Sequence, residues 1–325
     1  MSKSNVWTTF WKQGFPTSFA SQFPDNYTGT LAKFWEDQFA SLNNAKVLDV
    51  ATGNGAIALI AAKTAQEKSN NLDISAADFA DIQPTENSNN PKLKDLYKKI
   101  RFYPCTPIEE LPFPDKTFNL ITSQFGFEYA DRARSIKQIA RTLVKGGKFL
   151  AICHHERSTI HKSCLEDRDA YMKGVTKLGI DKKLIELAKL LFEVASAAQA
   201  RDIVNKQPIR RLIETLKADL LDLSKAFPRA TTSIYLNGAA RYLFGSFLTS
   251  SDEQKAKIIS ALSDELHASQ SRIEQQIHAT LSDREVGICE DLFLSEGLKK
   301  VRSNFLVDKS GDNIGWIFEF HKPNC

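Results

Sequence analysis

Two histidines stand side by side in 153-CHHE-156, where the apolar run 147-GKFLAICH-154 ends. Histidine titrates near neutrality, so a well-placed imidazole here would take a proton from a hydroxyl or a thiol. Adjacent residues of a strand point to opposite faces, so at most one of the pair faces a given pocket. His154 is the first candidate for a base and His155 the second; a satisfied polar residue at a strand end is the plain alternative for either. A second constellation lies far earlier, in 47-VLDVATGNGAIAL-59. There an acid, Asp49, precedes a turn made by Ala51, Thr52, Gly53, Asn54 and Gly55. Glycines let a backbone approach a ligand closely, and a helix starting near Ala56-Ile57 would offer free N–H groups.

Such a turn is open to three readings: a ligand-free strand-to-helix turn, a dinucleotide cradle, or an S-adenosylmethionine site. Gly53-Asn54-Gly55-Ala56-Ile57-Ala58 matches the dinucleotide pattern G-x-G-x-x-G/A, a weak signal when it stands alone. Asp49 argues against a diphosphate, since like charges in a partly dry cleft repel by an order of several kcal/mol. An acid at that position would hold the turn through backbone N–H groups and face a cationic amino-acid moiety.

Chemistry at these positions requires a frame. From residue 44 to about 155, short apolar runs alternate with helical stretches: 46-KVLDV-50, 72-LDISAAD-78, 101-RFYP-104, 118-FNLITSQF-125 and 147-GKFLAICH-154, with 132-RARSIKQIARTLV-144 as the clearest helix, stopped at Gly146-Gly147. That alternation predicts βαβ units and a parallel sheet, with every strand's C-terminal end on one rim. Residues 156–285 carry apolar positions at helical spacing (Leu184, Leu187 and Leu191; Ile273, Ile277 and Leu281) and no strand pattern, which predicts a helical insertion. A helix near 289-CEDLFLSEG-297 and two strands, 300-KVRSNFLVD-308 and 314-IGWIFEFHK-322, close the chain as a hairpin. The last strand should therefore run antiparallel. Residues 1–43 are rich in aromatic side chains and read as a helical cap.

The motifs on this frame resemble those of the class I S-adenosylmethionine-dependent methyltransferases. Asp49-Val50-Ala51-Thr52-Gly53-Asn54-Gly55 looks like the family's first motif, with alanine where many members have glycine. Asp78, closing the second strand, matches the acid that binds both ribose hydroxyls; Phe79 follows it, and Asp81 is the fallback. The stretch 109-EELPFPDKTFNLITSQFGFEY-129 resembles the family's Leu-Pro-Phe loop and fourth strand. The family often has an acid for the adenine amino group just before that loop. This chain has Cys105, Thr106, Pro107 and Ile108, so Thr106 would accept the hydrogen bond and Ile108 would pack on the ring. Gln124 and Phe125 would lie beside the methionine part of the cofactor. Glu128 and Tyr129 face it or pack. Trp11, Phe19 and Tyr27 are candidates to close the cofactor side.

The resemblance implies a seven-stranded, mostly parallel Rossmann-like sheet with an antiparallel last strand, formed by residues 44–155 and 286–325, with 156–285 as a lid between strands five and six. It implies methyl transfer from S-adenosylmethionine to a small organic acceptor, most simply at oxygen; a protein acceptor or a non-catalytic binding protein is the alternative. The amino-methylating members' Asn/Asp-Pro-Pro-Tyr is absent at the end of strand four.

Other classes find little support. A net charge of +4 without a Lys/Arg cluster gives no nucleic-acid signature. No run approaches the roughly 20 apolar residues of a membrane span. Five scattered cysteines, none in a C-x-x-C pair, suit neither a disulfide framework nor a zinc site and fit a reducing cytoplasm. His154, His155 and His161 lack any familiar metal-ligand spacing.

Overall fold

The computed structural model describes residues 3–19, 22–88, 90–194 and 197–324. It divides into two compact units, residues 1–161 with 278–325, and Lys162–Ile277.

The first unit is built on seven strands: β1 Ala45–Val50, β2 Leu72–Ala77, β3 Ile100–Tyr103, β4 Phe118–Gln124, β5 Leu143–Cys153, β6 Lys299–Val307 and β7 Asn313–His321. Their order in the sheet is β3-β2-β1-β4-β5-β7-β6. β1 pairs in parallel with both β2 and β4, and its buried residues divide between two cores, Leu48 and Val50 in one and Val47 in the other, so both its faces are covered. β7 enters antiparallel between β5 and β6. The chain order reverses between β1 and β4, and ligands of open α/β sheets bind at the C-terminal ends of such strands. The glycine turn follows β1, and Gln124 closes β4.

Helix Ala56–Lys68 opens with alanines and isoleucines whose small or slim side chains let it lie close to the sheet; eight of its residues are buried. Helix Gly29–Ala40 packs Leu31, Trp35 and Phe39 into the same layer, with Trp35 and Phe39 fully buried. Each such side chain contributes about 1.5–3 kcal/mol by leaving water. The opposite layer holds Phe127, Phe149, Phe293, Phe318 and Phe320 around helices Arg132–Thr142 and Asp283–Ser295. Asp131 caps the first of these, and a Ser282–Glu285 capping box starts the second.

One boundary differs from the sequence reading. The helix that should run to residue 144 stops at Thr142, and β5 begins at Leu143. Gly146 takes φ +75°, and a Cβ at Gly147 would meet the Val144 and Phe118 carbonyl oxygens at 2.9 and 3.1 Å. The paired glycines thus kink an edge of a strand that has already started, where they were expected to stop a helix.

Among the described residues, the second unit holds helices and no strand, from the body of helix Thr159–Tyr171 to that of Asp252–Ala279. It has its own core, including Leu184, Leu187, Leu216, Leu223, Leu236 and Phe247. Tyr242 and Phe247 border a small apolar cavity within it. Helix Asp283–Ser295 belongs to the sheet unit, so the helical unit is shorter at both ends than the 156–285 expected from periodicity.

Candidate active site

The glycine turn is held by side chains of β1 and β4 and by Asp78, just past the end of β2. Asp49 is 1% exposed, and its carboxylate accepts hydrogen bonds from the hydroxyls of Thr52 and Thr122. The backbone brace comes from elsewhere: the Gly53 N–H donates to Asp78 Oδ2 at 2.7 Å, and the Ala80 N–H to Oδ1 at 2.8 Å. The expectation that Asp49 would hold the turn through its N–H groups therefore shifts to Asp78. Burial raises both acids, Asp49 to about 7 and Asp78 to about 6; the Thr52 and Thr122 hydroxyls on Asp49, and the backbone N–H groups on Asp78, partly oppose it.

Ala51, Gly53 and Gly55 all have positive φ, at 51°, 55° and 83°. Alanine at 51 bears the strain of that region, of order 1 kcal/mol. Its methyl also dictates a partner. A Cβ on Gly126 would fall 2.5 Å from the Ala51 Cβ, so the turn after β4 needs its own glycine there.

The N-terminal segment covers this turn. A Cβ on Gly53 would meet the Trp11 indole at 2.4 Å. Asn54 donates from its amide to the Trp11 and Phe15 carbonyls, while the Tyr97 hydroxyl donates to the Asn54 carbonyl. Trp35 donates to Gln124 Oε1, and Phe19 packs on Phe125 at 5.7 Å. Tyr27 is buried, and that burial pushes its hydroxyl up to about 12, partly opposed by neighbouring Gln124.

Residues expected around adenine spread out. Phe79 is 54% exposed beside Asp78, an apolar ring open to a ligand. The Thr106 N–H donates to the Asp78 carbonyl and its hydroxyl to Pro104, while Pro107 is half-buried. Ile108 is buried in the core with Leu111 and Phe113, so little of it remains for the ring. Arg141 braces this loop by donating to the Leu111 and Phe113 carbonyls. Nothing in the local sequence pointed to that clamp, which bridges residues far apart in the chain.

The two histidines part company as strand alternation requires. His155 is fully buried between Trp316, stacked at 5.1 Å, and Phe305, edge-on at 4.9 Å. Its Nδ1 accepts the Arg157 N–H, its Nε2 lies 3.3 Å from Asp283, and burial lowers its pKa. That is a structural environment. His154 lies beside Phe125, ring centroids 4.5 Å apart, and Tyr129 at 6.0 Å. Its Nδ1 is 2.6 Å from Glu128 Oε1, and its Nε2 is buried without a hydrogen-bond partner.

The site residues fit S-adenosylmethionine. The turn supplies backbone that approaches a ligand closely, and each Asp78 oxygen keeps a lone pair beyond the one its N–H partner uses. Asn54 Oδ1 and Gln124 Nε2 are buried with no partner in the chain. By the resemblance, Asp78 would take the ribose, the 51–55 turn the amino-acid end, and Phe79 the adenine side.

Comparison with known proteins agrees. The model of the ubiE/COQ5 methyltransferase family matches residues 30–178. The ubiquinone/menaquinone biosynthesis C-methyltransferase of Rickettsia akari is 32% identical over 171 residues, 48% of this chain and 66% of that protein. Its Rickettsia bellii counterpart is 29% identical over 167 residues, with the same shares. The chain thus spans slightly less than two thirds of these relatives' length. Among solved structures, a chain from the Haloferax volcanii complex containing the Trm112 methyltransferase activator aligns over 98% of this chain and 97% of its own, at 11% identity and a TM-score of 0.48. A SAM-dependent methyltransferase from Aquifex aeolicus aligns over 46% and 73%, at 19% identity and a TM-score of 0.35. Sheet order, turn and family match place the chain in the class I, Rossmann-like methyltransferase superfamily. The cofactor of that class is S-adenosylmethionine.

Proposed function

We propose that this chain methylates a small hydroxylated organic molecule, at a ring carbon activated by a neighbouring hydroxyl, with His154 as the base. The observation that carries the reading is the unpartnered, buried Nε2 of His154 beside Phe125, at the rim where β4 and β5 end. S-adenosylmethionine, when bound, supplies an electrophilic methyl group and departs as a neutral thioether. His154 Nε2 accepts the proton of the acceptor's hydroxyl, which raises electron density on the oxygen and on the ring carbons ortho and para to it. Methylation at carbon ends when the ring proton leaves and the aromatic ring is restored, a net release of one proton. Phe125 and Tyr129 form apolar walls that suit a flat ring and keep water from the base. Access requires Phe19 and Trp7, which pack on Phe125 and Tyr129, to swing outward.

Carbon is favoured over the oxygen expected from sequence because the relatives above are named C-methyltransferases. The same base would serve methylation at oxygen, so product structure separates the two. Incubation with methyl-labelled S-adenosylmethionine and a reduced benzoquinone or naphthoquinone should place the label on ring carbon by NMR. Label on oxygen would shift the reading to an O-methyltransferase. Label on neither, across hydroxylated aromatic acceptors, would end it.

A further inference from the structure

The turn after β4 builds a carboxyl group into the same buried corner. Phe125 enters it with φ 54°, and Ser123 Oγ accepts the Phe127 N–H at 3.1 Å. Phe127 is drawn into the aromatic core against Phe149 and Phe293. A single 3-10 turn, Phe127–Tyr129, therefore fixes where Glu128 goes. Its side chain is fully buried. One oxygen, Oε1, meets both the His154 backbone N–H and Nδ1, each at 2.6 Å. No lysine or arginine is ion-paired with it among the described residues.

We infer that Glu128 is a positioning residue that fixes the tautomer and orientation of His154. The inference rests on the base role proposed above and deepens it. A carboxylate accepts only, so Nδ1 must carry the hydrogen it receives, and Nε2 is left with a lone pair. The backbone N–H on the same oxygen locks the carboxylate to the strand that carries the histidine. This is the logic by which a buried carboxylate orients an imidazole base elsewhere. The charged and titratable groups near the pair are Cys153 on β5, whose thiol burial and Glu128 hold neutral, Arg132 with its partner Glu285, and Cys289. None replaces the carboxylate at Nδ1.

The test compares Glu128→Gln with wild type in the full chain, using the naphthoquinol acceptor. Glutamine keeps the volume and one acceptor but is neutral and can present its NH₂ group instead. We expect kcat to fall about 10²–10⁴-fold, the size typical of an acid–base contribution. KM and S-adenosylhomocysteine affinity should stay within a few-fold. Adding Glu128→Gln to His154→Ala should cost nothing further, since the two act as one unit. Nitrogen-15 NMR of the histidines, which needs no acceptor, should find His154 in the Nδ1–H tautomer in wild type. An Nε2–H tautomer in wild type, or unchanged kcat in a folded Glu128→Gln chain whose His154→Ala counterpart is inactive, would overturn the inference. Full activity in His154→Ala would instead overturn the base role.

Discussion

At the scale of single residues, the site pairs chemistry with desolvation. Asp49 and Asp78 flank the turn proposed to meet a cationic ligand and a ribose, yet burial holds both well above ordinary carboxylates. These two acids therefore bind more protons in the folded chain than in the unfolded one between pH ~4 and ~7, and their own contribution to stability falls as pH rises across that window. Ligand binding runs the other way. An ammonium near Asp49 needs the carboxylate, so S-adenosylhomocysteine affinity should rise on the order of tenfold from pH 5.5 to 7.5 and level off above. Calorimetry in buffers of different ionisation enthalpy would show proton release on binding near neutral pH. An affinity flat across this range would mean that neither acid meets the ligand. Asp49 and Asp78 were both legible in the sequence, because their positions relative to the strands and glycines are local. Glu128 was only half legible. A charged residue inside Phe125–Tyr129 stands out, but its pairing with His154 depends on β4 and β5 being neighbours and on the single 3-10 turn that carries it.

Among the elements, the central parallel strands were readable because each is an apolar run bounded by turns, and burial on both faces leaves that imprint, while the last two were readable as a hairpin around a polar glycine turn. The β5 boundary was not, since Gly146-Gly147 signals a break without saying whether it ends a helix or bends a strand. The N-terminal helix, Lys3–Trp11, was legible only as aromatic. Its placement follows from long-range contacts: Trp11 on Gly53, Thr8 Oγ1 accepting the Asp81 N–H, and the Asn54 bonds to the Trp11 and Phe15 carbonyls. Because the indole lies on the glycine face that a ligand would approach, its surroundings must change on binding. Titrating S-adenosylhomocysteine should alter tryptophan emission, and Trp11→Phe should remove most of that change. An emission change that survives the substitution would locate the signal at Trp7, Trp35 or Trp316 instead.

For the whole molecule, the two units each bury their own apolar clusters, so each has the means to unfold as a separate cooperative block. Differential scanning calorimetry of the full chain should resolve two transitions. S-adenosylhomocysteine should raise only one of them, since all the cofactor residues named above lie in the sheet unit and a ligand stabilises what it binds. A single transition that moves as a whole would mean that the units fold as one. The central claim is that this sheet unit moves a methyl group with His154 as base. Single-turnover transfer from labelled S-adenosylmethionine to a naphthoquinol tests it most directly, run on wild type and on His154→Ala with cofactor affinity checked in both. The account predicts labelled product from wild type and a rate about 10²–10⁴-fold lower from His154→Ala at unchanged cofactor affinity. Equal rates in the two chains would contradict it.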